Sequence, residues 1–155
     1  MDAFREQLLW IVSTPLYAII IGIELLLSHL QHKKLYTLKD TAANVYLMLL
    51  NSAIDLTFRI VYLAIFAWFY ERRLINWQQG IFYWLVLLLA EDCLYYWLHR
   101  FDHEVRFFWA THVTHHSSQQ MNFAVGFRSS VFQPLYRFVY FIPLAWCGFQ
   151  PADIA

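Results

Sequence analysis

One stretch of the chain decides the fold: an apolar run that ends in regularly spaced histidines. It reads IFYWLVLLLAEDCLYYWLHRFDH over residues 81–103 and is followed by HVTHH over residues 112–116. Between Ile81 and Leu98 the only charged residues are Glu91 and Asp92. A helix of about 20 apolar residues crosses the hydrocarbon core of a membrane. We therefore expect a membrane-spanning helix that brings histidines to the membrane surface.

The histidines have the spacing of metal ligands. Five of the seven fall within 18 consecutive residues, where an even distribution would place about one. On a helix, His99 and His103 point the same way. His112, His115 and His116 would converge within an arc of about 100°. Imidazole is a ligand for iron, zinc, copper and nickel, so both boxes are candidate metal sites.

The alternative for these boxes is a group of hydrogen-bonded surface histidines or a pH sensor. One HxxxH pair alone would favour that alternative, but HxxxH and HxxHH in tandem after an apolar run favour metal ligation. The other two histidines, His29 and His32, lie near the end of an earlier apolar run. They are expected to be polar residues of the membrane interface.

Several neighbours could orient a metal-bound imidazole, which usually donates its second N–H to a carboxylate, carbonyl or water. Asp92 and Tyr96 share a helical stripe with His99, but Asp92 is about 10 Å from His99 along the axis. Asp92 is therefore placed to serve a histidine of another helix, or to pair with an arginine as a buried acid. Asp102 and Glu104 flank His103 and could support it or be plain surface charge.

The composition is that of a membrane protein. Of 155 residues, 60% are hydrophobic, 20% aromatic and 14% charged, whereas soluble domains carry about 25% charged residues. Eleven basic and eleven acidic residues leave no net charge, which excludes a basic nucleic-acid-binding domain and a disordered chain. Cys93 and Cys147 both lie in apolar runs, so no disulfide framework is expected.

The remaining apolar runs predict an all-α membrane bundle. Leu8–Leu30 is long enough for a first span, and residues 41–70 contain a second. A last run, residues 131–149, contains two prolines and fits either a kinked span or a helix lying at the interface. No alternating β-barrel pattern is present. We expect one membrane domain over residues 1–155 with three to four transmembrane or interfacial helices, covering roughly two-thirds or more of the chain.

Polar side chains interrupt the second run at helical spacing. Asn51, Asp55 and Arg59 lie four residues apart and share one stripe of a helix. Charged groups inside a membrane are costly and normally face the interior of the bundle. This stripe is therefore either the polar wall of a substrate or metal cavity or a structural ion pair between helices.

Loop charges predict the orientation in the membrane. If the spans alternate, the linker 31–40 lies on the same side as the region after the third span. That side has six lysines and arginines and the other has three. They are Lys33, Lys34, Lys39, Arg100, Arg106 and Arg128 against Arg5, Arg72 and Arg73. Because the more basic side is usually cytoplasmic, we expect the histidine boxes to face the cytoplasm, in a bacterial inner membrane or the endoplasmic reticulum.

The histidine boxes resemble those of the fatty acid hydroxylase and sterol desaturase superfamily of integral membrane oxygenases. The resemblance rests on DCLYYWLHRFDH at residues 92–103 and on WATHVTHHSS at residues 109–118, with Asn122 and Arg128 downstream. The second segment is most similar to the alkylglycerol monooxygenase branch. Before residue 89 the likeness is one of hydropathy only.

This resemblance implies a helical enzyme with a non-haem di-iron centre that hydroxylates or desaturates a C–H bond of a lipid with O₂. By motif match, the metal ligands are His99, His103, His112, His115 and His116. Candidates to support them are Asp92, Tyr96, Glu104 and Asn122. The lipid stays open among sterols, fatty acyl chains and ether lipids, and the electron donor between a pterin and a cytochrome b5-type protein. Zinc stays open as the metal.

The sequence departs from the family in one respect. The family carries a further HxxHH box downstream, but no histidine follows His116, and five imidazoles do not fill two iron coordination spheres. We expect the chain to be the N-terminal half to two-thirds of such an enzyme and not to catalyse the reaction unaided. The alternative is a non-catalytic membrane protein in which the five histidines bind a structural or sensory metal such as zinc.

Overall fold

The computed structural model describes residues 2–154, and within them all side chains except those of residues 2–10 and Ser13. The side chain of Arg5, which contributes to the predicted loop charge, is not among those described. Helix covers 77% of the chain, and residues 2–154 contain no strand. The predicted all-α fold is confirmed.

Three long helices follow one another: α1 (Asp2–Leu30), α2 (Leu38–Glu71) and α3 (Ile81–Glu104). The Thr37 hydroxyl caps α2 by accepting a hydrogen bond from the backbone N–H of Asp40 at 3.2 Å, as small polar N-cap residues do. The third helix continues past the predicted end at Leu98, so the first histidine box lies on the long helix itself.

Both α2 and α3 are long and apolar enough to cross a membrane, and residues 14–30 of α1 form a shorter apolar helix. Only 11% of the most apolar part of α2 and 17% of that of α3 are buried. Large apolar side chains such as Ile60 and Leu89 are 79% and 68% exposed. These helices are therefore not the buried core of a soluble domain, and their surfaces fit a lipid environment.

The last apolar run follows α2 from one end of the bundle to the other. It is divided into α5 (Gln133–Arg137), a 3₁₀ helix (Phe138–Phe141) and α6 (Ile142–Trp146). Near its start, the Asn51 side chain donates to the Ser130 carbonyl at 2.7 Å. Near its end, the Leu74 N–H donates to the Trp146 carbonyl at 2.9 Å. The run therefore lies along α2, and the choice between a kinked span and an interfacial helix stays a prediction.

A small aromatic core closes the end of the bundle opposite the histidines. Tyr83 and Leu87 of α3 pack with Leu144 and Phe149, and the Trp77 ring stacks on Phe149 at 5.2 Å. A short helix, α7 (Pro151–Ile154), follows this core. The packing fixes the last run against the start of α3.

At the other end, the chain turns back after α3 into α4 (Arg106–His112) and two 3₁₀ helices, His115–Ser117 and Phe123–Phe127. The Asn122 side chain donates to the Leu35 carbonyl at 2.6 Å, and the Phe123 N–H donates to Glu24 at 2.8 Å. The linker after α1 and the region after α3 therefore lie at the same end of the bundle.

Candidate metal centre

The first histidine box brings two ligand atoms to one point. His99 and His103 lie one turn apart on α3, and their Nε2 atoms are 3.3 Å apart. The Tyr95 ring lies parallel to the His99 ring, with centroids 6.1 Å apart. The i,i+4 spacing thus places both imidazoles on one face of α3, as expected for a helix.

The second box joins the first because α4 folds back onto α3. The His112 ring lies 4.8 Å from the rings of His99 and His103, and one ring nitrogen from each of the three lies within 4.8 Å of the others. The His116 ring is 4.9 Å from His103, and the His115 ring is 5.5 Å from His112. All five histidines therefore form one cluster.

The second box does not lie on one continuous helix. His112 is the last residue of α4, whereas His115 and His116 belong to the following 3₁₀ helix. The arc calculated for an α-helix is therefore wrong for this box. The two histidines reach the cluster because the chain tightens after Val113, where the Ser117 N–H bonds to the Thr114 carbonyl at 3.3 Å.

His112 has the most enclosed position of the five. It is 5% exposed, and neither of its ring nitrogens has a hydrogen-bond partner among the described residues. Burial, followed by the positive charge that His99 and His103 would carry, lowers the pKa of His112 to about 4. A buried polar atom without a partner is costly, and a metal binds the neutral imidazole. This donor set fits a transition metal.

Asp102 is fully buried beside His112. Its Oδ2 atom is 3.5 Å from the His112 Nδ1 atom, and the Tyr136 hydroxyl donates to its Oδ1 atom at 2.9 Å. The Gln133 amide donates to Oδ2 at 3.4 Å. Of the two roles considered for Asp102, surface charge is excluded by its complete burial.

The ring of His115 is held by a hydrogen bond at its Nδ1 atom. Its Nδ1 atom lies 3.1 Å from the Arg128 carbonyl oxygen. The Arg128 side chain is buried and donates to Asn44 at 2.6 Å, to the Ser117 hydroxyl at 2.9 Å and to Asp40 at 2.9 Å. The turn that carries His115 is thereby tied to the start of α2.

The other predicted supporting residues contact groups outside the cluster. Glu104 forms an ion pair with Arg100 at 2.8 Å, and the Tyr96 hydroxyl accepts from the same arginine at 3.1 Å. Asn122 donates to the linker after α1, and its Oδ1 atom is buried without a partner among the described residues. The contacts described for these three residues include none to a histidine.

A cavity of about 350 Å³ lies between α2, α3 and the last run, and none of its described lining residues is a histidine. Its lining includes Asp55, Glu91, Asp92, Tyr95, Arg137 and Phe138. Asp55 pairs with Arg137 at 3.6 Å, so the polar stripe contributes an ion pair between helices. That the cavity holds a substrate or a metal stays a prediction. Tyr95 forms part of the wall, and its ring lies against His99.

Sequence reasoning did not find Tyr136, Gln133 or Asn44. These residues lie 34 and 31 positions from Asp102 and 84 positions from Arg128, respectively. A periodic pattern within one helix contains no signal for such contacts. The contacts with Asp102 exist because the last run packs beside α3.

Comparison with known proteins shows which family this region resembles. Residues 84–155, which include all five clustered histidines, match the family described as fatty acid hydroxylase. This part of the chain is therefore similar to the fatty acid hydroxylase family.

Among curated proteins, the chain is similar to alkylglycerol monooxygenases. It is 34% identical to that of Homo sapiens over 86% of this chain and 31% of the relative. It is 38% identical to that of Xenopus tropicalis over 60% of this chain and 21% of the relative. The chain thus spans about a third or less of the length of the curated relatives it matches. No solved structure matches it.

Proposed function

We propose that this chain belongs to a membrane lipid oxygenase whose non-haem iron is bound by His99, His103, His112, His115 and His116. The observation that carries the proposal is the convergence of the five imidazoles around His112, whose two buried ring nitrogens make no hydrogen bond among the described residues. Support comes from the family of residues 84–155 and from relatives that are named monooxygenases.

Iron bound here would activate O₂ for insertion into a C–H bond, chemistry that the cofactor carries and the protein directs. The five imidazoles would supply part of the ligand set of two iron ions. The Trp109 ring, 5.5 Å from His103 and 5.6 Å from His116, would shield the exposed side of the cluster from water. Tyr95 would separate the iron from the neighbouring cavity.

An ether lipid of the alkylglycerol class is the substrate to test first, because the curated relatives are named for it. The apolar surfaces of α2 and α3 offer a lipid access from the bilayer. The rings of Phe66, Tyr95 and Phe138 along the cavity would contact an alkyl chain, while Asp55 and Arg137 would contact polar groups. Whether the electron donor is a pterin or a cytochrome b5-type protein is decided by assay.

The test uses the purified full-length gene product with ¹⁸O₂, a lipid panel of an alkylglycerol, a fatty acid and a sterol, and each donor in turn. We expect one ¹⁸O atom in the alkylglycerol product, detected by mass spectrometry, and stoichiometric iron. His115→Ala should abolish both, whereas His29→Ala, which alters an exposed histidine outside the cluster, should retain them. Stoichiometric zinc, with no ¹⁸O incorporated into any of the lipids, would favour a structural metal instead.

A further inference from the structure

We propose that Asp102 and Arg128 are positioning residues that present the Nε2 atoms of His112 and His115 to the metal. The inference rests on the proposed metal centre. Its observation is that the Nδ1 atom of each histidine faces an oxygen acceptor on the chain, a carboxylate in one case and a carbonyl in the other.

For His112, the acceptor is the Asp102 carboxylate. The 3.5 Å separation of Nδ1 and Oδ2 is slightly longer than a hydrogen bond. A carboxylate in this position fixes the tautomer of a metal-bound imidazole and makes the imidazole a stronger ligand.

Asp102 is itself held in place. Its hydrogen bonds from Tyr136 and Gln133 come from α5, and a second bond links the Tyr136 hydroxyl to Thr111 of α4 at 3.1 Å. A buried carboxylate requires such partners because desolvation of the charge is costly. The kinked last run therefore supports the metal centre through Asp102.

For His115, the acceptor is the main-chain carbonyl of Arg128, and the guanidinium group fixes that carbonyl. The guanidinium reaches two residues of α2, Asn44 and Asp40, and also Ser117 in the turn that contains His115. Arginine can serve three partners at once because its donors form a planar fork. Lysine has the charge but not the fork.

A common ring orientation follows. With Nδ1 of His112 and His115 directed at oxygen, Nε2 is the atom left for the metal in both. The first box agrees, because the Nε2 atoms of His99 and His103 are the pair that lies 3.3 Å apart. We infer that the metal is bound through Nε2 by these four histidines.

The first experiment tests Asp102. The full-length protein is loaded with Fe²⁺ and the rate of iron loss to a chelator is measured for wild type and Asp102→Asn. We expect a rate about 10–100 times faster in the variant, the usual effect of removing such a partner. The matched control is Asp153→Asn, which removes another carboxylate that accepts from a tyrosine hydroxyl, Tyr83 at 2.6 Å, at the opposite end of the bundle.

Equal rates for Asp102→Asn and Asp153→Asn would overturn the role of Asp102. Wild type that binds no iron would instead contradict the proposed function, so the two failures are distinguishable. Circular dichroism identifies any variant that has lost its fold. If Asp102→Asn has lost it, the milder variant Tyr136→Phe replaces it in the comparison. Tyr136→Phe should give an intermediate increase in the rate, and an unchanged rate would count against the inference.

The second experiment tests Arg128 with Co²⁺ as a spectroscopic probe. Arg128→Lys should shift the visible absorption of bound Co²⁺, because the His115 ring loses its fixed orientation. Arg72→Lys is the control, since Arg72 pairs with Glu71 at the opposite end of the bundle. Identical spectra for wild type, Arg128→Lys and Arg72→Lys would overturn the role of Arg128.

Discussion

At the scale of single residues, His112 has the central place in the cluster. Its ring lies within 5.5 Å of the four other histidine rings. We expect His112→Ala to lower iron content at least about tenfold, because one ligand and the link between the two boxes are lost together. Metal analysis of the purified full-length protein measures this.

His29→Ala is the matched control for that substitution, because His29 is exposed at the end of α1. His32 is less suitable, since its backbone has a φ of 52° and its replacement would add a conformational effect. If His112→Ala and His29→Ala retained equal iron, His112 would not be a ligand.

Tyr136 gives a second prediction at this scale. Tyr136→Phe removes a hydroxyl that donates to the buried Asp102 carboxylate. Hydrogen bonds to charged groups contribute about 1.5–3 kcal/mol, so the free energy of unfolding should fall by about that amount. Denaturant unfolding in detergent measures it, with Tyr46→Phe, at an exposed tyrosine of α2, as the control. A loss no greater than that of the control would contradict the prediction.

The candidate site was predicted in part from sequence. The five histidines were identifiable because their spacing within 18 residues is regular. Asp102 could not be distinguished from Glu104, since both flank His103 and only the fold shows which one is buried. Tyr136 and Asn44 were not predicted, because their contacts join elements far apart in the chain.

At the scale of elements, the junction between α6 and α7 depends on Gly148. Its φ of 101° is rare for residues with a side chain, and an added Cβ atom would lie 2.0 Å from the Ile75 carbonyl oxygen. We expect Gly148→Ala to lower the free energy of unfolding by about 1–3 kcal/mol. Thermal unfolding followed by circular dichroism measures the loss.

Gly126→Ala is the control for the same exchange, because nothing lies within 4 Å of a Cβ atom at that position. It should change the free energy of unfolding by no more than about 0.5 kcal/mol. Equal midpoints for the two variants would show that the close approach of Gly148 to Ile75 is absent.

The long helices were predictable because the length of an apolar run is a direct signal. The path of the last run was not predictable. A kinked span and an interfacial helix have the same sequence pattern and differ only in tertiary position. Pro134 and Pro143 each lie in the first turn of a short helix, where proline is favoured, so the run is broken into short helices. Its path along α2 is fixed by contacts such as Asn51 with Ser130.

At the scale of the whole molecule, the linker after α1 and the histidine cluster lie at one end, and the loop between α2 and α3 lies at the other. We expect Lys34→Cys to react with a membrane-impermeant maleimide from the cytoplasmic side only, and Gln78→Cys from the opposite side only. Labelling of intact cells and of inverted vesicles measures this, in a background where Cys93 and Cys147 are replaced by alanine. Labelling of both positions from one side would contradict the span assignment.

The five histidines come from α3, the last residue of α4 and the turn after α4, so the longest separation among them is that between His99 and His116. Contacts between residues so close in sequence form quickly, because little loop entropy is lost. During synthesis, the cluster could therefore assemble soon after residue 116 leaves the ribosome. The contacts of Asp102 and Arg128 must wait for residues 128–136, which are synthesised later. We therefore expect a nascent chain to gather its histidines first and to fix their ring orientation afterwards.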